Sequence, residues 1–453
     1  MRIHFIAIGG AVMHNLAIAL HKKGNIISGS DDEIFEPSLR RLQKNGLLPK
    51  QWGWFPGRIN SQLDAVILGM HASEDNPELK QAKKLGLKIY SFPEYLYEQT
   101  KNKKRVVIAG SHGKTTITSM IMHALRQNGV KFDYMVGSIL EGFETMVEIS
   151  DKNKIAIFEG DEYLTSTIDK RPKFHLYMPH IGLISGIAWD HINVFPTFEN
   201  YVDQFKKFAT LTSEAIVYYE GDPIVNDIAS AEQNRLKIYP YLELFACVNN
   251  EMSIITHDNL TVSLNIFGKY NMQNLAGAMQ VCKLLGISEH DFLKSMVNFR
   301  GAAKRQELLA RSSTCEVYLD FAHAPSKVKA TVEAFRTQFP ERQFTTCLEL
   351  HTFSSLTAGF LPHYKDSLEK ADRAIVYYNP EVVAHKKLPE IKPKQILQAF
   401  GRKDLIVIND KSQIEALLME NKTKNQLLLI MTSGNFSGLD LKAVAKKFIE
   451  NCS

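Results

Sequence analysis

No stretch of the chain approaches the ~18 consecutive apolar residues of a membrane-crossing helix, so no membrane span is expected. The apolar start, MRIHFIAIGG, is short and ends in glycines instead of a cleavage site. A first β-strand accounts for it better than a signal peptide. Cysteine is scarce and scattered: Cys247, Cys282, Cys315, Cys347 and Cys452 include no pair at metal-ligand spacing. That pattern fits reduced thiols in the cytosol and a cytoplasmic protein, without a disulfide framework. No segment repeats at a fixed period, and no low-complexity tract interrupts the chain. A large excess of either charge is also missing. The net charge of +5 comes from dispersed basic residues, which favours small anionic substrates and gives no case for nucleic acid.

What is present is a globular composition, 45% hydrophobic and 23% charged, over 453 residues. A chain of that length is too long for one core and suits about three domains. Expected boundaries are 1–102, 103–302 and 303–453. The stretch AGSHGKTT, residues 109–116, organises the reading. An apolar run at 106–109 reads as a strand and 117–125 as a helix. Between them Gly110, Ser111, His112 and Gly113 form an exposed turn whose N–H groups face outward at a helix N-terminus, a setting that favours anions. Lys114 is placed to reach terminal phosphates, and the Thr115 hydroxyl, beside Thr116, to ligate Mg²⁺. The spacing is short, with two residues between the glycines instead of four, so an ordinary strand–helix turn is the competing reading.

An apolar run at 155–158 delivers Glu159-Gly-Asp161-Glu162-Tyr163. An acidic residue at a strand end after a phosphate loop is placed to organise Mg²⁺. The run at 181–185 is followed by Trp189-Asp190-His191. Glu159 and His191 both lie just past strand ends and converge on one sheet edge in this reading.

The N-terminal residues read as strand 2–8, helix 11–23 and strand 25–28, the opening of a Rossmann-like unit. Gly9 and Gly10 occupy its turn, but Val12 stands where a third glycine belongs. That points away from NAD and toward another nucleotide-linked ligand. Asp31, ending the second strand, is placed to meet a ribose. Strands at 65–68 and 88–90 and helices at 77–85 and 93–98 follow. The turn 69–76 offers His71 and Ser73 at a strand's C-terminal end. The basic run 101–105 reads as a linker or solvated edge.

The segment Phe267-Gly-Lys-Tyr-Asn271-Met-Gln-Asn274 opens a helix running to residue 285. Its asparagines suit an adenine edge or a helix cap. A polar junction at 299–305 precedes strands at 316–319, 344–347, 373–376, 405–407 and 426–430 and a final helix at 439–449. This is a second doubly wound α/β pattern. Its first strand runs into Asp320-Phe-Ala-His323-Ala-Pro325.

Taken together, these motifs resemble the Mur ligase family over essentially the whole chain. The resemblance covers the short Gly-Lys-Thr-Thr loop, Glu159, the Asp-His pair at His191, the Gly-x-x-Asn-x-x-Asn segment, Arg305, and residues 320–325. It implies a three-domain α/β protein. A Rossmann-like N-terminal domain is followed by a central P-loop ATPase-like domain and a C-terminal doubly wound Rossmann-like domain. It also implies ATP-driven amide-bond formation with Mg²⁺ held at Thr115, Glu159 and His191, and Lys114, Glu159 and His191 as the catalytic set. Asn271, Asn274, Arg305, Asp320 and His323 complete the nucleotide contacts. The implied substrates are UDP-N-acetylmuramate, at Gly9, Gly10, Asp31, His71 and Ser73, and a peptide or amino acid. Within the family, residues 159–174 and Val12 resemble the branch that takes an intact tripeptide instead of L-alanine. Lys386, Lys387, Arg402, His351 and His385 are candidate partners for such a peptide. Departures at 184–188, Tyr270 and Ala324 leave the phosphate and metal residues intact. The competing class is a phosphate-loop switch without ligase chemistry, which would hydrolyse ATP without either co-substrate.

Overall fold

The structure, a computed structural model, describes residues 1–453 except 71, 167, 190–193, 250–251, 258–259, 421–424, 451 and 453. The chain packs into two compact units, Met1–Leu242 with Gln273–Met296, and Glu243–Met272 with Val297–Ser453. Among the described residues no helix is long and apolar enough to cross a membrane.

The first unit begins with β1 (Arg2–Ile6), α1 (Ala11–Lys22), β2 (Ile26–Ser30), α2 (Ser38–Lys44), β3 (Ala65–Leu68), α3 (Pro77–Lys84), β4 (Ile89–Ser91) and α4 (Phe92–Thr100). Its strands form a parallel sheet ordered β2-β1-β3-β4. Both faces of such a sheet are covered, which is why β3 reads as an unbroken apolar run and β1 is buried from Ile3 onward. The helix starts are written locally. Asn76 accepts from Glu78 N–H and Leu79 N–H ahead of Pro77 in α3, and Ser91 with Glu94 makes a capping box on α4.

The same unit continues with β5 (Lys104–Ala109), α5 (Lys114–Gln127), β6 (Asp133–Met135), β7 (Val147–Glu148), β8 (Ile155–Glu159), α6 (Lys173–Leu176), β9 (Ile181–Ile184), α7 (Phe198–Leu211), β10 (Ala215–Tyr219), α8 (Pro223–Ala231) and β11 (Lys237–Tyr241). The sheet order is β11-β10-β9-β5-β8-β6-β7, with only β7 antiparallel. The three expected strands are its central β5, β8 and β9, so the residues that follow them share one edge. Of the basic run 101–105, Lys101, Asn102 and Lys104 are exposed, as a linker or solvated edge requires, but Lys103 and Arg105 depart from that reading. Arg105 is buried inside β5 and donates to the carbonyls of Thr100, Lys101, Lys103, Tyr177 and Met178. Lys103 pairs with the buried Asp133. A guanidinium with five donors is buried at low cost where a helix end leaves carbonyls unsatisfied.

The second unit holds an antiparallel sheet of β12 (Cys247–Asn249), β13 (Met252–His257) and β14 (Leu260–Leu264). The chain then runs through α9 (Lys269–Leu284) and α10 (Glu289–Met296). It returns to the second unit with β15 (Glu307–Arg311), β16 (Cys315–Asp320), α11 (Pro325–Gln338), β17 (Gln343–Leu350), β18 (Arg373–Tyr378), α12 (Pro380–His385), α13 (Pro393–Phe400), β19 (Ile406–Ile408), α14 (Ser412–Leu418), β20 (Gln426–Met431) and α15 (Leu441–Glu450). Its sheet order is β15-β16-β20-β17-β18-β19, parallel except at β15. Central β16 and β20 are buried along their whole length.

Candidate functional site

The turn between β5 and α5 depends on its two glycines. Gly113 has φ of 79° and Gly110 of 130°. A Cβ on Gly113 would collide with Asn274 Oδ1, and one on Gly110 with Ser185 Oγ. The loop is fastened to the end of β9. Ser111 N–H donates to Gly186 O at 2.9 Å, Ser185 N–H to Ala109 O at 3.1 Å, and Gln273 Nε2 to Ser185 O at 2.6 Å. Ser111, Thr115 and Thr116 are buried, while His112 is partly exposed. Asn274 therefore packs against Gly113 of this turn.

Thr115 Oγ1 donates to Glu159 Oε1 at 2.8 Å, and Gly137 N–H to Glu159 Oε2 at 2.7 Å. These two residues present hard oxygen donors side by side, a set that fits a Mg²⁺ retaining several waters. Asp190 and His191 lie outside the described residues. Among those described, no group of three His, Cys, Asp or Glu gathers as a metal cluster.

Lys114 departs from the exposed position expected of it. Its side chain is mostly buried, and its ammonium donates to Gly110 O at 2.7 Å and Glu162 Oε2 at 2.8 Å. Burial pushes its pKa down, but the negative charges of Glu162, Asp161 and Glu159 outweigh this and raise it. Glu162 is wholly buried and also accepts from Tyr201 OH at 3.0 Å. Tyr201 OH is 2.9 Å from Ser111 Oγ, which accepts from Ala188 N–H at 2.9 Å. The neighbouring Asp161 pairs with Lys173 at 2.6 Å. The sequence reading gave Glu162 and Tyr201 no role. Glu162's position three residues after Glu159 was a signal; nothing local marks Tyr201.

At the N-terminal turn, Gly9 N–H donates to Asp31 Oδ2 at 2.7 Å. Burial pushes the Asp31 carboxyl up to about 6 against the opposing pull of that bond. A Cβ on Gly9 would come within 2.7 Å of Ile34 and 2.9 Å of Asp31. Gly10 precedes α1 and accepts from His14 N–H at 3.0 Å. Beneath this edge the buried Glu78 accepts from Ser30 Oγ at 2.6 Å and Phe55 N–H at 2.8 Å, with His4 Nε2 at 3.2 Å. It ties β1, β2 and α3 together. Ser73 is exposed in the loop after β3, and His71 lies outside the described residues.

In the second unit, Asn271, Arg305, Asp320 and His323 gather at the end of β16. Asn271 lies inside the first turn of α9 and is no cap. Its Nδ2 donates to Phe267 O at 3.0 Å and to Gln306 Oε1 at 2.8 Å. Gln306 N–H donates to Asp320 Oδ2 at 2.9 Å and Ala322 N–H to Asp320 Oδ1 at 2.8 Å. Burial raises the Asp320 pKa, with Arg305 and these donors opposing it. The Arg305 guanidinium stacks 4.2 Å over the Phe321 ring, whose edge meets His323 at 5.1 Å. Gln306 was not anticipated.

At the adjoining strand end, Glu349 accepts from Thr432 Oγ1 and, at 3.0 Å, from Phe436 N–H, and lies 3.8 Å from His351. The His351 pKa is lowered by burial, with Lys386 and Lys304 adding to the effect against Glu349. Arg402 is not a substrate candidate: it is committed to the carbonyls of Leu368, Ala371 and Asp372 and to Asp404.

A separate cleft of 640 Å³ in the first unit is lined by Tyr90, Tyr97, Arg171, His175 and Met178 among others. Arg171 there pairs with Asp169 at 2.6 Å and with Glu94 of α4 at 3.0 Å. The distal part of residues 159–174 thus braces α4, while its start holds Thr115 and Lys114.

Three family models match in succession: the Mur ligase family catalytic domain over 2–104, the Mur ligase middle domain over 108–282, and the Mur ligase glutamate ligase domain over 304–434. The UDP-N-acetylmuramate–L-alanine ligase of Caldicellulosiruptor bescii is 30% identical over 394 residues, covering 82% of each chain. The fold is similar to that of the Thermotoga maritima UDP-N-acetylmuramate-alanine ligase, with a TM-score of 0.74 at 19% identity over 99% of this chain and 98% of that one. It is also similar to the Psychrobacter arcticus murein peptide ligase, with a TM-score of 0.66 at 19% identity over 100% and 98%. On these grounds the chain belongs to the Mur ligase family, three-domain α/β enzymes that form amide bonds at the expense of ATP.

Proposed function

We propose that the enzyme joins the L-alanyl end of L-alanyl-γ-D-glutamyl-meso-diaminopimelate to the lactyl carboxylate of UDP-N-acetylmuramate. The carboxylate takes the γ-phosphoryl group of ATP to give an acyl phosphate. The peptide amine then attacks the acyl carbon, and phosphate leaves. The observation that carries the ATP-driven half is the gathering of Lys114, Thr115 and Glu159 where β5 and β8 end. Phosphoryl transfer needs positioning and charge neutralisation more than covalent help. In this reading Lys114 supplies a fixed positive charge at the transferring group. The N-terminus of α5 adds its dipole and outward N–H groups. Thr115 and Glu159, with His191, would hold Mg²⁺, which offsets the repulsion between two anions when bound. Asn274 orients the loop, and Asn271, Arg305, Asp320 and His323 are the further nucleotide residues in this reading. Gly9, Gly10 and Asp31, with His71 and Ser73, bind the UDP portion at the carboxyl ends of β1, β2 and β3.

The tripeptide is favoured over L-alanine by residues 159–174 and Val12, which resemble the tripeptide-using branch. A second reading, ligation of free L-alanine, is favoured by the 30% identity to a ligase of that name. The test of the common chemistry is ADP release measured with each co-substrate withheld in turn. Release is expected only with both UDP-N-acetylmuramate and an amine. Release with neither would sink the ligase assignment.

A further inference from the structure

We propose that Glu162 is a positioning residue that holds Lys114 folded onto its own loop, so that a nucleotide phosphate must displace a carboxylate to reach the ammonium. The inference rests on the phosphate-loop reading of Lys114 and adds to it a competitor within the chain. Glu162 presents one oxygen to Lys114 Nζ at 2.8 Å, while the same ammonium meets Gly110 O at 2.7 Å. Gly110 opens the turn proposed to receive the phosphates. The lysine is thus folded back along the loop toward the strand end.

The carboxylate is itself fixed. Its other oxygen accepts from Tyr201 OH at 3.0 Å, and Tyr201 is anchored by Ser111 Oγ at 2.9 Å, a residue of the same loop. Glu162 and Tyr201 are both fully buried and the Lys114 side chain is mostly so, which limits screening of the pair by solvent and salt. In such surroundings a charge-assisted bond is stronger than at a surface. The arrangement keeps the lysine charge compensated when no phosphate is present; an uncompensated buried ammonium would be costly. Its consequence is that part of the attraction between Lys114 and a phosphate is used to break the pair with Glu162.

The experiment uses the full chain, with a non-hydrolysable ATP analogue and Mg²⁺ and no other substrate. Affinity is measured by calorimetry, and labelling of Lys114 by an amine-reactive reagent is followed by peptide mapping. For Glu162→Gln we expect nucleotide affinity to rise by about 3–10-fold, converting to ~0.7–1.4 kcal/mol. Lys114 labelling without nucleotide is expected to accelerate and to be suppressed again by the analogue. Glu162→Asp keeps the charge but is one methylene shorter, so it should also accelerate Lys114 labelling, with a smaller gain in affinity. That variant separates loss of the contact from simple loss of a negative charge. Affinity that is unchanged or weaker in folded Glu162→Gln, with Lys114 labelling as in the parent, overturns the proposal. Lys114→Ala distinguishes the two levels. If it binds nucleotide like the parent, the phosphate-loop reading itself fails. If it binds weakly while Glu162→Gln gains nothing, only the role of Glu162 fails.

Discussion

Lys114 carries two burdens that one substitution separates. Its ammonium is the fixed charge proposed to meet the transferring phosphoryl group, and it is also the partner of a wholly buried carboxylate. Lys114→Ala is therefore expected to lower kcat by ~10²-fold or more, from the loss of transition-state charge stabilisation. It should also cost about 1–3 kcal/mol of stability, because Glu162 is left buried with one donor fewer. Turnover assays and urea unfolding read the two effects, and near-parental turnover would remove the lysine from the mechanism. Asp31 offers a pH test. Its folded pKa of about 6 lies above the unfolded value of 3.8. The folded state then holds more protons than the unfolded one between those values, so this group's contribution to stability falls as pH rises through that window. Asp31→Asn keeps an oxygen for Gly9 N–H and removes the charge. It is expected to stabilise the protein at pH 7 by on the order of 1 kcal/mol, after discounting for screening, and to flatten the stability profile between pH 4 and 6. UDP-N-acetylmuramate affinity should fall in the same variant if the carboxylate serves the ribose.

At the scale of elements, the loop proposed to bind phosphate is shaped by the approach of β5, α5 and α9 through a position with no side chain. Gly113→Ala places a Cβ against Asn274 Oδ1 and forces a non-glycine residue to φ of 79°. The expected cost is about 1–2 kcal/mol from the left-handed backbone alone. Nucleotide affinity should fall by at least tenfold as the loop shifts, and calorimetry alongside thermal unfolding checks both. Wild-type affinity would mean that the α9 contact does not shape the loop. The central strands around this loop were legible because parallel strands buried on both faces spell continuous apolar runs. Residues 106–109, 155–158 and 181–185 are such runs, and they became β5, β8 and β9. The same signal stood in AIVYY of β10 and was passed over. The sheet of β12, β13 and β14 was harder. Its strands are partly exposed, and only the alternating burial along β13 and β14 marks them. Within 101–105 charge signals solvent correctly at Lys101 and Lys104, whereas Arg105 is buried by the carbonyls it satisfies. Tyr201 could not be read at all. It reaches Glu162 from α7, 39 residues away in sequence, and no local pattern encodes that meeting.

At the scale of the whole molecule, the open choice is the amine substrate. A tripeptide bearing several carboxylates needs cationic partners remote from the reacting amine, and their binding energy can orient that amine for attack. The second unit has cations near one strand end. Lys304 donates to Gly434 O at 3.1 Å, and Lys304 and Lys386 both act on His351 beside the buried Glu349. Arg402, an obvious candidate by charge, is used up by carbonyls and Asp404. Free L-alanine makes the opposite demand, a small pocket fitted to a methyl group, in which exposed cations have no part. One added methylene in such a pocket changes discrimination by only ~1–3 kcal/mol, whereas missing charged partners change it far more. The expected ratio of kcat/KM for tripeptide over L-alanine, with UDP-N-acetylmuramate saturating, is therefore well above ten. Lys386→Ala should erode that ratio by about tenfold through KM for the tripeptide, while the small residual rate with L-alanine stays put, because a methyl group makes no use of an ammonium. A ratio below one would transfer the enzyme to the L-alanine-adding branch and leave the phosphate loop, Glu159 and the acyl-phosphate step as they are. In the proposed sequence the amine enters only after the acyl phosphate has formed.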